Sequence, residues 1–256
     1  MIAGSAATAA SAAASPPSGY VTRTTGTATL TCLAACAPAL YDALGTGTLY
    51  AWAAARRERR VLRGRGVAYA VTLPDGRTDV VVRHSRHGGL LAPLTGDRFL
   101  APTRAPRELA TSLALRAAGV RTPEVVAHVV HHAGPWLRRA DVATRLVPGA
   151  RDLAEAIGTV SDDAWVGPTG ALLRALAGVG ARHPDLNLKN VLLSPDGAWV
   201  LDVDVVVLGS APVDAARANW ARLERSLRKW RRERALSVSD RALATLAAVA
   251  TEPSAA

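Results

Sequence analysis

The stretch HPDLNLKNVLLSPDGAWVLDVDVV, residues 183 to 206, constrains this chain more tightly than any other. Two short apolar runs flank Pro195, Asp196 and Gly197, a tripeptide that reverses a chain because proline presets φ and glycine accepts a positive φ. The segment is therefore expected to be a hairpin. Closing it brings the loop ahead of the first strand beside the end of the second, so Asp185 and Asn190 approach Asp202 and Asp204. Oxygen ligands from Asn190 and Asp202 suit Mg²⁺, which takes few protein oxygens and completes its shell with water and phosphate. A carboxylate just upstream that is not itself a ligand, Asp185, can accept a hydroxyl proton. Taken singly, Asp185 and Asn187 read as turn caps and Asp202 as the end of a strand. Taken together, a His-x-Asp-x-x-x-x-Asn element, a hairpin and then an Asp supply what phosphoryl transfer needs: a metal, a base and an orientation.

Composition narrows the remaining classes. Lys+Arg exceed Asp+Glu by ten, and apart from Lys189 and Lys229 the basic residues are arginine. Such a surplus attracts phosphate, whether of nucleotide, nucleic acid or anionic lipid, although an arginine and alanine bias also follows from genomic base composition. No run reaches the roughly 18 consecutive apolar residues of a membrane span. The first 18 residues, MIAGSAATAASAAASPPS, lack a basic segment and a strong apolar stretch, so they read as a disordered leader, not an export signal. Cys32 and Cys36 have no histidine or third cysteine nearby. They read as small buried side chains in a reducing cytoplasm, with no disulfide.

Along the chain, residues 1 to 50 form an Ala-rich, partly disordered leader with one short helix around 28 to 43. Folded structure is expected from residue 51. Strands over 67–73 and 78–83 flank the turn Pro74-Asp75-Gly76. A helix follows in RAPRELATSLALRAAGV, where Leu109, Leu113 and Ala117 recur at helical spacing and Gly119 stops it. Strands are expected in TPEVVAHVVHH and WLRRADVATRLVPG, with a break at Pro148 and Gly149. Beyond it, ARDLAEAIG and DDAWVGPTGALLRALAGVG read as helices, then come the hairpin and terminal helices from about Asp214.

HPDLNLKNVLL with WVLDVDVV resembles the catalytic and metal loops of kinase-fold enzymes, and is most similar to the 3-deoxy-D-manno-octulosonic acid (Kdo) kinases of lipopolysaccharide assembly. VVRHSRHGGLLAPLTGDRFL, APRELATSLALRAAGVRTPEVVA, RADVATRLVPGARDLAEAI and NWARLERSLRKW resemble segments of that family in the same order, over about residues 60 to 235. The resemblance implies an α+β, two-lobed, protein-kinase-like fold, with a β-rich N-lobe over 51–149 and a mainly helical C-lobe over 150–256. It implies that Asp185 is the base, that His183 supports the catalytic loop, and that Asn190 and Asp202 hold Mg²⁺ against the phosphates of ATP. Asp204 stands where protein kinases carry the glycine of Asp-Phe-Gly, and its contact with metal is open.

The same resemblance requires a cation on the third strand of the N-lobe, paired with a helix glutamate. That cation is usually lysine, but no lysine precedes Lys189. Arg83 in DVVVRH and Glu108 in RELA are the candidates, and arginine can bridge phosphate oxygens with its planar fork. The competing reading of Arg83 is a surface residue at a strand end. Gly64 and Gly66 precede the first strand of the hairpin, where backbone amides can cover phosphates.

Two basic concentrations remain, RRERRVLRGR and NWARLERSLRKWRRER. In the second, Trp220, Leu223, Leu227 and Trp230 mark a core-facing stripe opposite a cationic face. Those arginines suit a solvated face or anionic lipid headgroups. With the family's lipid-linked Kdo acceptor, they imply peripheral contact with the cytoplasmic face of the inner membrane. No recognition-helix or base-stacking motif accompanies the charge, so nucleic acid is not an expected partner. The Gly-rich segment 85–99 reads either as a mobile loop meeting an acidic sugar through Arg86, His87 or Arg98, or as a plain surface loop. A heptose or aminoglycoside kinase, or a non-catalytic nucleotide-binding scaffold, are the alternative functions.

Overall fold

The computed structural model describes residues 15–45, 47–64, 66–84, 99–100, 103–134 and 137–251. Its N-terminal part is built on one sheet. In chain order come β1 (Tyr20–Thr25), β2 (Ala28–Leu33), α1 (Ala37–Leu44), α2 (Leu49–Ala55), β3 (Arg60–Arg63), β4 (Val67–Thr72), β5 (Asp79–His84), β6 (Phe99–Leu100), α3 (Ala105–Ala117), β7 (Val125–His132) and β8 (Leu137–Arg145). The strands hydrogen-bond in the order β1-β2-β7-β8-β5-β4-β3, and β6 pairs with β8.

The β4–β5 hairpin follows from its turn. Both carboxylate oxygens of Asp75 accept from the far side of the turn, Oδ1 from the Arg77 and Thr78 amides and Oδ2 from the Thr78 hydroxyl, and Gly76 takes φ +69°. In β5 the alternation of DVVVRH sends Val80 and Val82, both fully buried, into the core. Each such burial contributes about 1.5–3 kcal/mol.

The chain's beginning departs from the sequence expectation. The leader assigned to residues 1–50 is ordered from before Tyr20, and β2 pairs with β7 from Ala28↔His131 to Cys32↔Ala127. The helix expected over 28–43 begins only at Ala37, because ATLTCL lies along β7 as a strand and buries Leu30, Thr31 and Cys32. An unpaired sheet edge is a strong template, and threonines suit a pleated surface, so tertiary pairing overrides a weak local signal. Cys32 and Cys36 are free and buried, as their composition implied. Residues 1–14 and the segment 85–98, with Arg86, His87 and Arg98, lie outside the described residues.

After Val147 and Gly149 the chain enters the second part: β9 (Arg151–Asp152), α4 (Leu153–Ala156), α5 (Asp162–Gly178), β10 (Val191–Ser194), β11 (Gly197–Val200), α6 (Pro212–Arg234) and α7 (Asp240–Thr251). The ARDLAEAIG helix is shorter than expected because Arg151 and Asp152 pair with β10, and Asp152 caps the single turn that follows. Trp165, Leu173, Leu176, Leu223, Leu227 and Leu246 form the centre of this core, with Trp220 and Trp230 packed at its margin. The Trp-Leu stripe is thus core. The expected α+β, two-lobed arrangement is present, and the active-site loops lie where the two parts meet.

Candidate active site

Gly180 starts the catalytic loop. It sits at φ +63°, and a Cβ there would come within 2.4 Å of the Ser210 carbonyl oxygen, so only glycine fits without displacing backbone. The next turn is anchored from α6: the buried amide of Asn219 accepts from the His183 amide at 2.8 Å and donates to the Ala181 carbonyl at 2.9 Å. His183 is fully buried. Its Nδ1 accepts from the Asp185 amide at 3.2 Å, which fixes the proton on Nε2 and directs it to the Leu201 carbonyl at 2.9 Å. One imidazole therefore ties the backbone of Asp185 to the residue before Asp202.

Asn187 and Asn190 close the loop from the other side, their side-chain amides donating to the Asp185 carbonyl at 2.9 and 2.8 Å. Asn187 Oδ1 also accepts from the Lys189 amide. The Leu201 amide donates to the Asn190 carbonyl at 2.9 Å, so the loop is stitched to the end of β11. With its N–H group spent in this way, Asn190 keeps its amide oxygen for a ligand. Most of the polar groups that crowd this loop beside the buried strand therefore hold one another.

Asp202 departs from β geometry altogether, at φ 53° and ψ 47°. A non-glycine residue in this region costs roughly 1–3 kcal/mol and persists only where its surroundings enforce it. The side chain is half exposed. Asp204 follows in a 3-10 turn, mostly buried, 3.5 Å from Arg104 at the start of α3. Burial raises its pKa and Asp202 adds to the effect, while Arg83 and Arg104 oppose it.

The N-terminal part answers this loop with a cation. Arg83 Nη2 meets Glu108 Oε2 at 2.5 Å and lies 3.8 Å from Asp202 Oδ1. Burial alone would depress the arginine pKa, but Glu108, Asp202 and Asp204 more than reverse it, and the guanidinium stays charged. Glu108 is buried in the first turn of α3, and that burial pushes its pKa up against the pull of Arg83. A second tether, Arg107 Nη2 to the Val206 carbonyl at 3.2 Å, holds α3 to the segment after Asp202. Gly64 and Gly66 form the β3–β4 turn, at the same end of the sheet as Arg83, which pairs with Ala68. Within that turn the Gly64 amide donates to the Gly66 carbonyl at 3.0 Å, so it is spent locally.

Asp185, Asn190, Asp202, Arg83 and Glu108 thus form one constellation, with His183 beneath it. Sequence reasoning did not find Asn219 or Arg222. Asn219 carried a signal, a polar amide inside the apolar stripe of α6; Arg222, whose Nη2 is 3.5 Å from Asp185 Oδ1, was one arginine among many. Lys189 faces elsewhere, bound to Asp152 at 2.7 Å and Glu155 at 3.5 Å.

Comparison with known proteins identifies the family to which the chain is similar. The family model described as lipopolysaccharide kinase (Kdo/WaaP) family matches residues 51–248. A protein of Actinobacillus succinogenes named 3-deoxy-D-manno-octulosonic acid kinase is 33% identical over 189 residues, covering 68% of this chain and 78% of the relative. One of the same name from Stenotrophomonas maltophilia is 32% identical over 178 residues, covering 68% and 70%. A solved structure of WaaP in complex with acyl carrier protein aligns at TM-score 0.49 and 17% identity, over 75% of this chain and 77% of that one.

Proposed function

The chain belongs to the lipopolysaccharide kinase (Kdo/WaaP) family, and from that premise we propose that it transfers the γ-phosphoryl group of ATP to a Kdo hydroxyl on a lipid A precursor. The observation that carries the reading is the meeting of two chemistries at one place. A carboxylate, Asp185, stands on a loop whose Asn190 and Asp202 offer oxygen ligands, and Arg83 reaches Asp202 from the other lobe while held by Glu108.

The roles follow from the groups. Asp185 receives the proton of the acceptor hydroxyl as that oxygen attacks the γ-phosphorus and the bond to ADP breaks. Arg83 neutralises charge on the nucleotide phosphates, and Glu108 keeps it extended toward them. His183 and Asn219 hold the loop and move no proton. Asn190 Oδ1 and the half-exposed Asp202 carboxylate fit Mg²⁺, a hard cation that takes oxygen. When bound, it would screen phosphate charge in the transition state. Gly64 and Gly66 sit where a turn can lie over the phosphates.

No described helix is long and apolar enough to cross a membrane. A lipid-linked acceptor still has to be reached, and the net charge of +10 with the exposed arginines Arg225, Arg231, Arg232 and Arg234 of α6 favours peripheral contact with an anionic cytoplasmic leaflet. Against the scaffold alternative stands the complete set Asp185, Asn190 and Asp202.

The test is an acceptor panel with γ-labelled ATP: Kdo-bearing lipid A precursor, a heptose-bearing core and an aminoglycoside. Label on the Kdo lipid supports the reading. Label on another acceptor alone moves the activity to a different member of this kinase class, and ATP binding with no transfer to any acceptor supports a scaffold.

A further inference from the structure

We propose that Arg222 is the specificity residue for an acidic acceptor: it takes the acceptor sugar's carboxylate while Asp185 takes the hydroxyl proton. The proposal rests on the Kdo reading and goes beyond it, because it assigns acceptor recognition to a side chain that the roles above leave unused.

The position of Arg222 is enforced by its neighbours on α6. Asn219, three residues earlier, is bonded to His183 and Ala181, and Ser226, four residues later, accepts from the Leu188 amide at 3.3 Å. Residues three and four apart share one helix face. Arg222 therefore stands on the face that cradles the catalytic loop, and Leu223 and Leu227, fully buried, lock the helix there. Its Nη2 lies 3.5 Å from Asp185 Oδ1.

That contact is long, and its partners are 40% and 38% exposed. An ion pair so open to water adds little stability. What it provides is a reachable guanidinium beside the base. Among the described residues Asp185 is the one hydrogen-bond acceptor that Arg222 meets, so most of its five N–H donors remain for a ligand.

Among the described residues, three other cations near the site already have carboxylate partners. Lys189 is held by Asp152 and Glu155, Arg83 by Glu108, and Arg104 by Asp204. Asn187, two residues past Asp185, is spent on backbone groups. An acceptor carrying its own carboxylate meets repulsion as it brings a hydroxyl to Asp185. A guanidinium next to that carboxylate removes the repulsion, and its planar fork pairs with a second carboxylate in a way an ammonium cannot. A neutral sugar gains nothing from the same group.

The experiment measures kcat and KM for Kdo-bearing lipid and for its Kdo methyl ester, with wild type, Arg222→Gln and Arg222→Lys. The wild type should favour the acid over the ester by about 10- to 100-fold in kcat/KM, the scale of a hydrogen-bonded charge pair. Arg222→Gln should raise KM for the acid and collapse that ratio to within about threefold, and Arg222→Lys should restore part of it. An unchanged ratio in an active Arg222→Gln enzyme overturns the proposal. So does an equal fall of kcat on acid and ester, which would place Arg222 on the phosphoryl group. If wild type labels neither acid nor ester, the Kdo reading itself falls and takes this role with it.

Discussion

The two halves of the site are held together in opposite ways. On the C-lobe side, His183, Asn187, Asn190, Asn219 and Leu201 exchange hydrogen bonds within a closed network, and each bond fixes the next. On the N-lobe side, the cation Arg83 has one hydrogen-bonded carboxylate, Glu108, in a pair that joins a strand to a helix 25 residues away in sequence. A closed network stays formed whatever α3 does. The Arg83–Glu108 pair, like the Arg107 and Arg104 contacts to the segment after Asp202, forms only when α3 is docked, so the N-lobe half is the natural place for the site to be assembled or taken apart.

Four substitutions sharpen or break that contrast. The largest effect is expected for Asp202→Asn, which removes a ligand charge: kcat should fall by about 10³-fold, the scale of losing a preorganised electrostatic partner, while the melting temperature holds or rises as strain is relieved. Next comes Asn219→Ala. It leaves the His183 amide and the Ala181 carbonyl unpaired in a buried site, and urea unfolding should show a loss of about 2–3 kcal/mol together with lower activity.

Glu108→Gln should cost less, about tenfold in kcat/KM for ATP, since Arg83 keeps its charge and loses only its orientation. An effect as large as that of Asp202→Asn would break the contrast, because the bridge would then be as indispensable as the network.

The smallest effect concerns the N-lobe sheet. His128 on β7 is buried, and desolvation lowers its pKa from 6.5 to about 4. The unfolded chain therefore binds the extra proton first. Stability due to this group is fully present above about pH 6.5 and is lost as pH falls toward 4. Between pH 6.5 and 5.5 the loss should be about 1 kcal/mol, and His128→Leu should flatten the slope measured by urea titration.

Legibility in the sequence followed the same division. The catalytic hairpin could be read because its groups fall within about twenty residues and its turn, Pro195-Asp196-Gly197, has a mechanism of its own. Arg83 and Glu108 needed an assumed strand and helix order before they could be paired. Asn219 and Arg222 lie 36 and 37 residues beyond their partners His183 and Asp185, and on that helix only Asn219, a polar amide inside the apolar stripe, breaks the pattern of core and surface. The β1–β2 hairpin was hidden for another reason: an Ala- and Thr-rich run has little preference until β7 offers it an edge. The buried Asp141, hydrogen-bonded by His84 and the Tyr50 amide, likewise joins three elements that no spacing connects.

The central claim is that Asp185 moves the proton while the rest of the site binds and orients. Single-turnover transfer of labelled γ-phosphate to Kdo-bearing lipid A precursor, alongside the Kd for Mg²⁺-ATP, tests it in wild type and Asp185→Asn. The account predicts transfer slowed by at least about a hundredfold with the Kd within about threefold of wild type. Transfer at the wild-type rate in Asp185→Asn would contradict it.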